Sequence, residues 1–176
     1  MQADVSFPYA FHQWNTTGFS ADFGGSFAGQ HFLGLEFTVF NPDFSYSYPV
    51  YGAARVDERV ETLQIAYRFS FPLNIFGGDQ RHSAFELYLG GAGGLGQVRQ
   101  TLTYSNAAVA APAPQLTAQE TELCAELAAG LQFNVGPNFG MKVGFRYIDS
   151  INNVRLFNSD ANTDTKALEV GAVVRF

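Results

Sequence analysis

Alternation with a period of two runs through this chain from end to end, and no other feature constrains the fold as strongly. Near the C-terminus Leu168, Val170, Ala172, Val174 and Phe176 share one phase, against Glu169, Gly171, Val173 and Arg175 on the other. Upstream, Phe139, Met141, Val143, Phe145 and Tyr147 alternate with Gly140, Lys142, Gly144 and Arg146. Leu123, Leu127, Leu131 and Phe133 alternate with Glu122, Cys124, Glu126, Gly130 and Gln132. The same rule governs Phe85–Gly90, Thr62–Phe71, Leu33–Val39 and Phe19–Phe27. Successive side chains on a strand point to opposite faces, so each segment presents one apolar face and one small or polar face. A weaker first strand covers Val5, Phe7, Tyr9 and Phe11, where Pro8 cannot donate to a ladder. About eight strands result, with no helical period.

The connections between them differ in length. Gly29-Gln30 and Val135–Asn138 are tight, and Asn74–Ser83 is longer and polar. Between them lie polar segments at His12–Gly18, Asp43–Glu58, Tyr104–Gln119 and Ser150–Thr165, which read as loops. The Tyr104–Gln119 segment contains the low-complexity run Ala107–Pro114. Short turns at one end and long loops at the other predict an antiparallel up-and-down meander, closed as a single domain over residues 1–176.

Alternation does not say which face of a closed sheet meets solvent. A soluble lipocalin-type barrel puts the apolar face inside, and an outer-membrane barrel puts it outside. The other face is Gly, Ala, Ser and Thr, punctuated by Asp22, Glu36, Arg68, Glu86, Glu122, Glu126, Lys142, Arg146, Glu169 and Arg175. A water-facing exterior would carry many long charged side chains. Charged residues make up only 15% of this chain, against roughly 25% in soluble domains, and just two are Lys. The lumen of an eight-stranded barrel is only wide enough to be filled by side chains. Small residues and a few opposite charges fit there, whereas 18 Phe would overfill it. The apolar face therefore belongs outside, against lipid. Closure also satisfies every backbone donor and acceptor, as lipid demands. Tyr9, Trp14, Tyr46, Tyr48, Tyr67 and Tyr147 lie near strand ends and are expected as interfacial aromatics.

Net charge is −6, which argues against nucleic acid as a partner. No apolar run approaches the length of a transmembrane helix. Met1-Gln2-Ala3-Asp4 leads directly into strand-like sequence with no signal peptide, the pattern expected of a mature chain with an added start Met. The single Cys124 excludes an internal disulfide and any multi-cysteine metal site.

The C-terminal stretch Leu168, Val170, Ala172, Val174 and Phe176 resembles the assembly signal of bacterial outer-membrane proteins, a terminal Phe preceded by apolar residues at every second position. With the strand count and the alternation of turns and loops, the whole chain resembles the small eight-stranded family that includes the OmpA transmembrane domain, OmpX and the opacity-type adhesins. That resemblance implies an all-β, closed antiparallel transmembrane β-barrel with short periplasmic turns and longer extracellular loops, in the outer membrane. It implies contact with outer-membrane lipid and lipopolysaccharide, and handling of the last strand by the assembly machinery. An external ligand at the loops and a monomeric state are also expected.

Members of this family include lipid A deacylases, in which a His, any residue, then Ser-Asn follows an Arg-aromatic pair. Here Arg146-Tyr147 is followed by Ile148-Asp149-Ser150-Ile151-Asn152, with Asp149 where the His would stand and Ile151 where the Ser would stand. With no imidazole base, no serine is activated by that route. His12, His31 and His82 have no metal or triad spacing, and Cys124 reads as a small buried filler. Gly91-Ala-Gly-Gly-Leu-Gly96 matches the dinucleotide fingerprint letter for letter, but β-rich sequence follows it where that motif requires a helix. No catalytic, cofactor or metal site is expected, and the glycines are assigned to barrel geometry. The inward charges are expected to form a network, with Lys142 and Arg146 paired to some of Glu126, Glu169, Glu122 and Glu36. A structural or adhesive barrel is the expected class, with a narrow pore as the alternative. A lipid-modifying enzyme and a soluble ligand-binding barrel are less favoured.

Overall fold

The computed structural model describes the chain except for residues 11–15, 42, 49–51, 74–83, 106–114, 151–153, 157–158 and 162–164. Its elements are all strands: β1 (Gln2–Ala10), β2 (Thr16–Phe27), β3 (His31–Phe40), β4 (Asp43–Tyr48), β5 (Gly52–Leu73), β6 (Phe85–Ser105), β7 (Gln115–Asn134), β8 (Phe139–Ser150), β9 (Val154–Leu156), β10 (Ser159–Ala161) and β11 (Thr165–Arg175). Each neighbour pair in the main sheet is antiparallel, in the order β3-β2-β1-β11-β8-β7-β6-β5. Pairing of β3 with β5, from His31↔Phe69 to Phe40↔Val60, closes an eight-stranded ring. β4 continues the line of β3 and pairs with the upper part of β5. β9 and β10 form a separate hairpin. Among the described residues no helix is long and apolar enough to cross a membrane.

The two phases face as the side-chain volumes require. Ile65, Leu127, Phe7, Phe23, Leu35 and Val170 are 55–66% exposed on the outer surface. On the inner phase of the same strands, Gln64, Glu126, Ser6, Asp22, Glu36 and Glu169 are buried. The turn end is tight. At the β2–β3 turn the chain passes through left-handed backbone at Ala28 and Gly29 (φ 50° and 71°), the second at no steric cost. The β7–β8 turn closes with Val135 N–H donating to the Phe139 carbonyl at 2.9 Å. Around this end Phe27, His31, Tyr67, Phe69 and Phe71 form an aromatic girdle, with Phe27 stacked on His31 at 5.2 Å and Phe69 edge-on to Phe71 at 4.3 Å.

At the opposite end the structure departs from the expected loops. β5, β6 and β7 have 22, 21 and 20 residues, whereas β1, β2, β3, β8 and β11 have 9 to 12. Much of Asp43–Glu58, and both flanks of Tyr104–Gln119, are paired strand rather than loop. The β9–β10 hairpin occupies part of Ser150–Thr165. The physical reason lies in the solvent. A strand crosses the hydrocarbon in roughly 9–11 residues, and beyond it the outer face meets water. The apolar phase then inverts. On β5 Tyr67, Ile65 and Leu63 face out, but from Glu61 the outward residues are Glu61, Arg59, Asp57 and Arg55, while Val60 turns inward and is buried. The boundary is a rung of three leucines, Leu63–Leu95–Leu123, directly below a polar rung, Glu61–Gln97–Thr121.

Candidate functional site

The lumen is filled in layers. Arg146 rises from β8 at its centre, fully buried, and forms an ion pair with Glu36 of β3. Its Nη2 donates to Glu169 Oε2 at 3.0 Å and its Nη1 to Thr38 Oγ1 at 3.0 Å, while Nε lies 3.3 Å from Glu126 Oε1. One guanidinium thus holds carboxylates from three other strands. A planar fork of five donors suits such a position.

Nearer the turn end of the barrel, Arg68 of β5 pairs with Asp4, and its Nη2 donates to Asp22 Oδ2 at 2.6 Å. Its guanidinium lies over the rings of Phe32 and Tyr88, at 5.2 and 5.3 Å from their centroids. The Lys142 ammonium sits 3.5 Å from Asp22, 3.7 Å from Glu169 and 3.8 Å from Asp4, held by charge among three carboxylates. Tyr88 O–H donates to Glu169 Oε1 at 2.6 Å. It reaches that far because its rung runs Tyr88–Gly130–Gly144–Glu169, and the two glycines leave the space the ring occupies. A Cβ on Gly130 would stand 2.6 Å from the Tyr88 oxygen.

Below this layer a vestibule of about 420 Å³ opens at the turn end, lined by Gln2, His31, Phe32, Glu86, Gln132, Asn134 and Arg175 among others. There Arg175 Nη1 donates to Asn134 Oδ1 at 3.0 Å and Asn134 Nδ2 donates to Glu86 Oε1 at 2.7 Å. Above the charges lies an apolar layer of Ala10, Phe40, Val60, Val98, Cys124, Ile148 and Ala167. Higher still, Gln100 donates to Glu58.

All ten charges expected inside face the lumen, and the network draws in more than the sequence suggested. Asp4 anchors both Arg68 and Lys142. The first strand, expected from Val5, begins three residues earlier at Gln2, and this puts Asp4 on its inner phase. Of the expected partners, Glu36, Glu126 and Glu169 meet Arg146, whereas Glu122 instead accepts from Ser150 Oγ at 2.7 Å, above the network. Lys142 turns to Asp4 and Asp22 besides Glu169, because the slanted rungs set it level with β1 and β2. Arg175 and Glu86, 3.6 Å apart, belong to the vestibule. Cys124 is 1% exposed inside the lumen, accepting from Gln64 Nε2 at 3.4 Å.

The expected interfacial aromatics divide. Tyr9, Tyr67 and Tyr147 lie on the outer phase, and Tyr67 shares a 2.7 Å hydrogen bond with His31 Nδ1. Tyr46 and Tyr48 sit on β4 opposite Ala54 and Gly52, farther out than Arg59 and Glu61, and so stand above the bilayer interface. Paired strand rather than loop over much of Asp43–Glu58 carries them beyond it. Trp14, His12 and His82 lie outside the described residues. The assembly-signal residues Leu168, Val170, Ala172 and Val174 follow the outer phase of β11, and Phe176 closes the ring by donating its N–H to the Met1 carbonyl at 2.9 Å. Asp149 points outward and exposed, on the face opposite the lumen-facing Arg146, so the two do not share a site. Among the described residues no His, Cys, Asp and Glu cluster has a metal-binding arrangement.

A closed ring with a lipid-facing apolar surface and a polar, side-chain-filled lumen defines a transmembrane β-barrel of the bacterial outer membrane. The sequence model of the outer membrane protein beta-barrel domain matches residues 2–176, and the chain belongs to that family. Among solved structures it resembles Neisserial surface protein A, with TM-score 0.62 and 17% identity over 99% of this chain and 95% of that one. It also resembles Ail, the attachment invasion locus protein of Yersinia pestis solved with the heparin analogue sucrose octasulfate, with TM-score 0.51 and 18% identity over 99% and 98% of the two chains. A search of curated protein sequences gave no significant match.

Proposed function

We propose that this chain is a sealed, non-enzymatic outer-membrane barrel that displays a binding surface outside the cell, in a structural or adhesive role. The observation that carries the reading is the extension of β5, β6 and β7 well past the leucine rung, with charge outside and apolar residues within. Strands that merely cross a bilayer need no such length. Paired strands hold side chains in fixed relation, so they present a surface more defined than a free loop would.

The lumen favours display over transport. The Arg146 and Arg68 networks cross it, and the apolar layer from Phe40 to Ile148 closes it a second time. Ions would have to break buried pairs and then pass a dry constriction. The chain is read as a monomer inserted by the assembly machinery through β11. Ail was solved with a polysulfated ligand, but here the outward residues above the bilayer mix Arg55, Arg59 and Arg99 with Asp57 and Glu61. A partner of mixed polarity fits that surface better than a uniform polyanion.

Two experiments test the proposal. In planar bilayers the refolded barrel should give no sustained conductance, and steady open steps would overturn the sealed lumen. Cells displaying the barrel should bind host-cell or matrix surfaces, and matched shortening of the upper parts of β5, β6 and β7 should abolish that binding while the barrel remains folded. Unchanged binding after shortening would remove the adhesive role.

A further inference from the structure

The vestibule at the turn end holds charges of both signs whose hydrogen-bonding capacity is not filled. Arg175 of β11 and Glu86 of β6 face each other there, Nη2 to Oε2, at 3.6 Å, too far for a hydrogen bond. Their side chains are 27% and 19% exposed, whereas the lumen charges above them are closed off from solvent. Arg175 donates from Nη1 to Asn134, and its remaining guanidinium N–H groups have no acceptor among the described residues. Glu86 Oε1 accepts from Asn134 at 2.7 Å, while at Oε2 the Gln132 amide stands 3.5 Å away. Gln132, directly opposite Glu86 on β7, is buried and donates to Asn134 Oδ1 at 2.7 Å. Its own Oε1 accepts nothing among the described residues. A forked donor, a carboxylate oxygen and an amide carbonyl therefore line one cavity of about 420 Å³ with room to bind.

We propose that this vestibule binds a free α-amino acid in its zwitterionic form. The carboxylate lies on the open edge of the Arg175 guanidinium, which suits a planar two-oxygen acceptor. The ammonium lies against Glu86 Oε2 and Gln132 Oε1. A simple anion would meet Glu86 and a simple cation Arg175, so a like charge disfavours each. Two opposite charges on one carbon reach groups 3.6 Å apart, and a longer spacer would overshoot them. The groups are held in place before a ligand arrives: Glu86 pairs with Gln132 across the ladder, and Arg175 with Gln2. Little ordering is therefore lost on binding. Arg68 closes the inner end, its guanidinium engaged by Asp4 and Asp22, so the ligand enters and leaves by the same mouth. The site is a receptor rather than a route through the barrel, and it is independent of whether the opposite end is adhesive.

The test titrates alanine at neutral pH into the full chain, labelled with nitrogen-15 and refolded in detergent micelles. The side-chain amide signals of Gln132 and Asn134 and the Arg175 Nε–H signal should shift and saturate. The Gln100 amide, at the other end of the barrel, should not move. β-Alanine, with one more carbon between its charges, should bind about tenfold more weakly, as should acetate mixed with methylammonium. R175Q and E86Q keep a polar side chain at the mouth and should each weaken alanine about tenfold, the loss of one hydrogen bond to a charged group. R55Q, whose arginine is already paired with Asp57 at 2.7 Å, should leave binding unchanged. The absence of a saturable shift in the wild type would overturn the site, whether or not the variants fold. Equal binding of β-alanine by the wild type would overturn the zwitterion assignment. Alanine bound as tightly by refolded R175Q or E86Q would overturn its placement on this pair.

Discussion

Tyr88 donates its hydroxyl to Glu169 at 2.6 Å across the width of two strands, over Gly130 and Gly144. The contact ties β6 to β11 through the lumen rather than through the backbone ladder. It also fixes Glu169 for Arg146 Nη2 and Lys142, which approach the other carboxylate oxygen. Tyr88→Phe should keep the fold and lower stability by about 1.5–3 kcal/mol, the usual worth of a hydrogen bond to a charged group. Denaturant titration followed by gel mobility measures it, and a midpoint equal to wild type would mean that the tyrosine merely fills space.

Arg146 is the only base within reach of both Glu36 and Glu126 among the described residues. Removing it leaves two buried carboxylates uncompensated and a third dependent on Lys142. Arg146→Ala should cost about 3–5 kcal/mol, as breaking one side of a buried pair does. Adding Glu36→Gln and Glu126→Gln should recover part of that loss. A melting temperature unchanged by Arg146→Ala alone would show that the network carries no net stability.

Gly93 and Gly94 are adjacent but face opposite ways. Outward at Gly93 there is open space, whereas a Cβ on Gly94 would collide with the Leu63 carbonyl and with Gln64 Cα at 2.6 Å. Gly93→Leu should therefore refold normally, and Gly94→Leu should fail to show the heat-modifiable folded band. Equal refolding of both would contradict the close approach of β5 and β6.

The leucine rung marks the outer edge of the hydrocarbon. Leu127→Arg, two rungs below it on β7 and deeper in the hydrocarbon, should cost up to about 2–4 kcal/mol, the range for Arg placed on the lipid face near the bilayer midplane. Thr117→Arg, three rungs above it on β7 and opposite the uncharged Thr101, should cost almost nothing. Similar penalties at both sites would displace the boundary from Leu63–Leu95–Leu123.

How much of this could be read from sequence follows from what a period of two encodes. It fixes which residues share a face, so every expected lumen charge arrived inside. It carries no information on which strands stand level across the lumen. That depends on strand tilt and stagger, and so Glu36, 110 residues from Arg146, stands in the sequence only as one of four candidate partners. The apolar layer is written as isolated hydrophobic residues on the polar phase: Phe40 and Ile148 near the extracellular ends of β3 and β8, and Val60 and Val98 partway along β5 and β6. The long extensions of β5, β6 and β7 carry no outward apolar face that would mark them as strand in the sequence. Past the bilayer that face is charged, and Val60 and Val98 had already changed sides.

Glu58 stands in that outer extension of β5, beyond the bilayer boundary, buried beside Gln100. Burial raises its pKa above the ordinary 4.5, nearby Glu122 adds to the rise, and the Gln100 hydrogen bond opposes it. An acid with a raised folded-state pKa stabilises the fold below its unfolded value, and that contribution is lost as pH rises through the folded value. From about 4.5 upward the ionised carboxylate therefore costs stability. Glu58→Gln should be more stable than wild type at pH 7 to 8, with the difference shrinking steadily toward pH 4. Parallel denaturation series across that range measure it. A difference between the two proteins that does not change with pH would show that Glu58 is solvated rather than enclosed by the extended strands.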